Sequence, residues 1–145
     1  MRRAAAAFAT AEAAEDAFYD AMQRGDLAAM MSLWADDEDV VCVHPSGARL
    51  VGLQAIRASF EEIFAQGGVD VRPADQRVHL GALVAVHNLV EKVVVSGRQG
   101  TEVVECVATN VYLKDASGWR IVVHHSAPAG ESPSTEIGGD STVLH

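Results

Sequence analysis

The stretch Leu83–Ser96, LVAVHNLVEKVVVS, runs through Gly97-Arg98-Gln99-Gly100 into Thr101–Lys114, TEVVECVATNVYLK. Asp115-Ala116-Ser117-Gly118 then leads to Trp119–Ser126, WRIVVHHS. Runs this rich in valine favour a pleated backbone, and short turn-forming links between them read as hairpins. A fourth run, Val69 to Leu80, enters the series through Gly81-Ala82. The spacing predicts an antiparallel meander, and strands of this length should make the sheet curl.

Upstream, the period changes from two to three and four. Thr10 to Arg24 places Ala14, Ala17, Phe18, Ala21 and Met22 on one helical face, and Gly25 supplies a left-handed stop. Asp26 caps a second predicted helix, Leu27 to Trp34. Two short strands flank the turn Pro45-Ser46-Gly47: Val40 to His44, and Ala48 to Val51. A third helix is expected over Leu53 to Gln66, with Ile56, Phe60, Ile63 and Phe64 inward. Three N-terminal helices followed by a curled sheet give an α+β layout. Such a layout is expected to leave a cone-shaped cavity where small ligands bind.

Composition narrows the function classes. The 145 residues carry 11 Lys and Arg against 20 Asp and Glu, a net charge of −9. Displacing counterions from nucleic acid, or approaching an anionic membrane, requires clustered positive charge, so neither partner is expected. No apolar run is long enough to span a bilayer. Met1-Arg2-Arg3 and the alanines after it are expected to lead into a helix rather than to form a secretory leader. Cys42 and Cys106 stand apart, without a CxxC pair, which suits a reducing cytoplasm. One domain is expected over residues 1–128, with a flexible Gly/Ser/Pro/Thr-rich tail over 129–145. The acidic run Asp36 to Asp39 reads as a solvated turn, because it lacks the spacing of a calcium loop.

The chemistry rests on histidines and polar residues set among apolar ones. His44, before Pro45, either closes a turn or reaches a pocket as an acid/base. His124 and His125 are adjacent on a strand and must point to opposite faces, so one at most lines a cavity. His87 and Glu91 share a strand face. Glu91, and likewise Glu105, is either partnered on a core face or solvated at a sheet edge. Asn110 on its valine-rich strand must find partners if buried, and a ligand can supply them. Trp34 either walls the cavity or fills the core. The histidines show no HExxH and no helical i, i+4 pair. No glycine loop opens a helix to cradle phosphate. Neither a metal nor a cofactor is expected.

Three stretches resemble the nuclear transport factor 2-like superfamily and its SnoaL-like group. They are Gly25-Asp26-Leu27 through Leu33-Trp34-Ala35-Asp36-Asp37; His44-Pro45 through Gly52 and Ile56; and Ala108-Thr109-Asn110-Val111-Tyr112 through Gly118-Trp119 to Ser126. The last is also similar to the association domain of calcium/calmodulin-dependent protein kinase II. The resemblance implies a cystatin-like α+β roll, a strongly curved antiparallel sheet wrapped around three helices. Lining up Gly25-Asp26 with the ketosteroid isomerases of that superfamily puts Phe18 where they have a tyrosine donor, with Tyr19 turned away from the pocket. His44 falls at the base aspartate, and Thr109 or Asn110 near the acidic donor. With both donors replaced, dienol isomerisation is not expected.

Two functions follow as expectations. One is a pocket protein of the lyase, isomerase or cyclase kind, acting on a small apolar or carbonyl-bearing molecule. Its acid/base residues would be His44 with His124 or His125, and its ligand contacts Phe18, Trp34, His87, Thr109 and Asn110. The other is a non-catalytic association module. Both faces of the strands around Leu83–Val95 and Val103–Leu113 are rich in valine, and a monomer needs only one for its core. A homodimer through the outer face of the sheet is therefore expected.

Overall fold

The computed structural model describes residues 8–130. The predicted lead-in at residues 1–7 and the tail from residue 131 onward lie outside them. Helix α1 (Ala11–Arg24) starts where the Thr10 hydroxyl accepts from the Ala13 N–H, and ends at Gly25 with φ 64°. That left-handed turn lets the Gly25 N–H reach the Ala21 and Met22 carbonyls. The Asp26 carboxylate accepts from the Ala29 N–H and starts α2 (Leu27–Ser32), shorter than its apolar pattern implied. Strands β1 (Val41–Val43) and β2 (Arg49–Val51) form a small hairpin before α3 (Leu53–Phe64). The four long strands are β3 (Val71–Leu80), β4 (Val84–Gly97), β5 (Gly100–Asp115) and β6 (Gly118–Pro128).

The six strands make one curved, unclosed sheet in the order β2-β1-β6-β5-β4-β3. The meander β3 to β6 is antiparallel as expected, but the sheet as a whole is mixed. β1 joins β6 in parallel, because the chain leaving α2 runs alongside β6 in the same direction, from Trp34 beside Ile121 to Val43 beside His125. The helices cover the inner face, where Phe18, Met30, Leu33, Ile56, Phe60, Leu89, Tyr112 and Ile121 form the core.

A bulge in β6 decides which polar residues turn inward. Val111 faces Val123, yet the next residue, Tyr112, faces Ile121, so Val122 is an extra residue on the β6 side. Side chains alternate along a regular strand, and one inserted residue reverses that alternation. Ile121 and His124, an odd number of positions apart, are therefore both buried.

Candidate functional site

Two rows of side chains cross β4, β5 and β6. On the inner face His87 lies opposite Asn110, and Asn110 opposite His124. On the outer face the corresponding row is Asn88, Thr109 and His125. Helix α1 adds Glu15 and Tyr19, four positions apart on its buried face. Glu15, Tyr19, His87, Glu91, Asn110, His124 and Ser126 are all at least 96% removed from solvent. So many polar groups inside a core must satisfy one another.

They do so as one network. Glu15 Oε1 accepts from the Tyr112 hydroxyl (3.0 Å) and from Asn110 Nδ2 (3.4 Å), and lies 2.9 Å from His87 Nδ1. Asn110 Nδ2 also donates to the Tyr19 oxygen at 3.1 Å, and Tyr19 donates its own proton to Glu91 Oε2 at 2.6 Å. The Ser126 hydroxyl donates to Glu91 Oε1 at 2.6 Å. His124 Nδ1 lies 2.6 Å from Asn110 Oδ1, and its Nε2 is 4.0 Å from Glu91 Oε2.

One edge of this network reaches a cavity of about 410 Å³. Its polar walls include His44, Ser59, Glu62, Glu91 and His124, and its apolar walls include Met22, Ile63, Val69, Val71 and Val93. That volume suits a small organic ligand. The His44 and His124 rings have centroids 6.5 Å apart. Ser59 donates its hydroxyl proton to the Ile56 carbonyl (2.8 Å), so its oxygen accepts from His44 Nε2 at 3.0 Å. A neutral His44 thus carries its proton on Nε2 and leaves Nδ1 bare. A second cavity, of about 500 Å³, opens at the other end of the network beside Glu12, Glu15, Asp16, His87, Val78 and Trp119.

Burial sets the charge states. His44 is pushed below the usual histidine range by desolvation. His124 falls further, to about 3, mainly through burial and then through the neighbouring His44 and His125. Glu91 is raised above the usual carboxylate range by burial, although the bonds from Ser126 and Tyr19 work in the opposite direction. Near neutral pH the cavity therefore presents uncharged imidazoles beside a carboxyl group that holds its proton more tightly than usual. Cys42 is pushed up to about 12 by burial, which makes its thiol inert. Among the described residues, no three His, Cys, Asp or Glu side chains are grouped as metal ligands.

The structure brings His44 and His124 together at this cavity. His87 lies at the other one, bonded to Glu15. Phe18 packs behind the first cavity against Tyr19, Phe60 and His124, and Asn110 sits inside the network. Trp34 is core, and its indole N–H has no hydrogen-bond partner among the described residues. Thr109 faces outward because it alternates with the buried Asn110, and His125 because the Val122 bulge turns its neighbour His124 in; neither lines a cavity. Glu91 is a buried, partnered carboxylate, whereas Glu105 is exposed. Tyr19, expected to be turned away, is buried beside Phe18 because the inward stripe of α1 is wide enough for both.

Sequence reasoning missed Glu15, Ser59 and Ser126. Glu15 had a signal, since Ala11, Ala14, Glu15, Phe18 and Met22 follow helical spacing and place a carboxylate within the apolar stripe.

A family model for the SnoaL-like domain matches residues 11–130. The chain belongs to this SnoaL-like family. A solved structure from Thiobacillus denitrificans, provisionally named a calcium/calmodulin-dependent protein kinase type II association domain, is 35% identical. It superimposes with a TM-score of 0.78 over 86% of this SnoaL-like chain and 99% of that one. A protein from Streptomyces avermitilis, provisionally named a dehydratase of the NTF2-like family, is 28% identical. Its TM-score is 0.74 over 83% of this chain and 95% of that one. The CaMKII hub of S. rosetta, at 24% identity, shares the fold, with a TM-score of 0.66 over 88% of this chain and 100% of that one. No curated protein matches this SnoaL-like chain.

Proposed function

We propose that this SnoaL-like protein binds a small, largely apolar, carbonyl-bearing molecule and moves a proton on it, as a lyase, isomerase or cyclase does. The observation that carries the reading is the convergence of His44, Glu91 and His124 on one otherwise apolar cavity. His44, neutral near pH 7 and bare at Nδ1, is the acid/base. Glu91 and His124 are the polar contacts that orient the ligand. Similarity to a protein provisionally named a dehydratase supports this class of chemistry. Titrating the protein with apolar ketones and hydroxy-ketones, followed by thermal shift and calorimetry, tests it. Saturable binding that His44→Gln weakens at least tenfold is expected. Absence of saturable binding across the series would remove the reading.

A second reading has its own observation. Val84, Val103, Val107 and Leu113 are exposed on the outer face of the sheet, at 43%, 56%, 41% and 39%. An apolar patch of this kind on a sheet is a place for a second chain. We propose a homodimer through that face, compatible with ligand binding on the other, and similarity to a provisionally named association domain favours it. Among the described residues, no helix is long and apolar enough to cross a membrane. Two buried free thiols, Cys42 and Cys106, fit the proposed cytoplasmic location.

A further inference from the structure

The direction of every hydrogen bond around Asn110 is fixed by what its neighbours can accept. Glu15 Oε1 accepts from the Tyr112 hydroxyl and from the Asn110 amide nitrogen, and it lies against His87 Nδ1. The Tyr19 hydroxyl spends its proton on Glu91, so it can only accept from Asn110. Both acceptors therefore lie on the amide nitrogen side. Turning the amide over would press its carbonyl against the Glu15 and Tyr19 oxygens. The Asn110 oxygen is thereby left facing His124 Nδ1 at 2.6 Å, and an amide oxygen cannot donate. The proton in that contact must belong to the imidazole. A neutral imidazole carries one N–H only, so Nε2, the nitrogen on the Glu91 side, is bare.

We infer that Glu15, acting through Asn110, is a positioning residue that holds His124 as the Nδ1–H tautomer, so that the cavity receives a bare Nε2 and accepts a hydroxyl or N–H group from its ligand. This rests on the proposed pocket function and narrows its ligand to one bearing a hydrogen-bond donor besides the carbonyl. Glu15 touches neither His124 nor the first cavity, and its effect passes through one side-chain amide. His44 carries the opposite tautomer, Nε2–H, set separately by Ser59.

The test is long-range ¹H–¹⁵N correlation of the histidine rings in the full-length protein near pH 7, with His124 assigned by the loss of its signals in His124→Gln. The wild type is expected to show a protonated Nδ1 and a bare Nε2. A wild-type spectrum with the proton on Nε2 overturns the inference without any variant. In Glu15→Leu the carboxylate acceptor is gone and the Tyr19 hydroxyl can turn to donate to the amide, so the His124 signals are expected to shift toward the Nε2–H tautomer. Asn110→Ala, which leaves Glu15 in place, should release the tautomer in the same direction. Unchanged His124 signals in a folded variant of either kind overturn the relay. Phenol is expected to move the Nε2 resonance and anisole, which lacks the donor, to leave it in place. Equal responses, or no response to phenol, overturn the donor preference. The tautomer readout needs no ligand, so it stands or falls separately from the proposed activity.

Discussion

Tyr19 on α1 donates its phenolic proton to Glu91 on β4 across 2.6 Å, joining positions 72 apart in the chain. The bond ties the first helix to the sheet at the back of the cavity, and it gives a buried carboxyl group one of its two donors. Tyr19→Phe keeps the ring and removes the donor. Leaving a buried acceptor without its donor costs about 1–3 kcal/mol, so a loss of that order is expected in urea unfolding near neutral pH. The Glu91 carboxyl should also hold its proton to higher pH, readable by carboxyl ¹³C titration.

The pH profile of stability should have two limbs of opposite sign. An unfolded histidine takes its proton near pH 6.5, whereas folded His124 resists until about 3. Between those values the unfolded chain binds more protons, so stability falls as pH falls, and His44, lowered by burial, adds the same sign. Glu91 is raised, so its contribution is complete below the ordinary carboxylate value and is lost as pH rises through the raised one. Urea midpoints measured across this range should show a flatter acid limb in His124→Phe. Glu91→Gln should gain on the wild type as pH rises.

Gly68 is packed against the end of α1. A β-carbon there would run into the Gln23 carbonyl and come 2.9 Å from the Gly25 nitrogen, both backbone groups that cannot swing aside. The same junction holds the Val69 N–H on the Met22 carbonyl at 2.9 Å. Gly68→Ala is expected to cost about 1–3 kcal/mol through overpacking. Gly67→Ala is the comparison: its β-carbon meets nothing within 4 Å, but its φ of 104° is itself unfavourable for alanine. Amide exchange near Met22 and Val69 should accelerate in the Gly68 variant and much less in the other.

Val107 pairs with Val90 and Ala127 at the middle of the outer face. Val107→Asp places a charge where the proposed dimer would bury it. Light scattering at micromolar concentration is expected to give twice the chain mass for the wild type and the single-chain mass for the variant. Circular dichroism should stay unchanged, because the side chain does not reach the core.

The α+β layout and the meander were legible because they depend on local period: valine runs, short links, and a glycine or aspartate at each helix end. The parallel β1–β6 pair was not, since three residues of β1 carry no information about which strand they will join. The inward turn of His124 was hidden for another reason. Alternation says that His124 and His125 oppose each other, but only the extra residue Val122 settles which faces in, and it is one valine among several. Glu91 could be read either way because its strand is apolar on both faces. Its partners, Tyr19 and Ser126, come from two other elements, which no window along the sequence joins.

The parallel ladder has a mechanical meaning. Cys42 pairs with His124 and Val43 with His125, so the strand that leads directly into His44 is clipped to the strand that bears His124. The separation of the two imidazoles is thus built into backbone pairing rather than left to a mobile flap. A guest that is too wide would have to unzip β1 before it could spread the rings. For the proposed ligand, selection at this mouth would then work as a fixed-gauge slot, which rejects oversized molecules on contact instead of closing around those that fit.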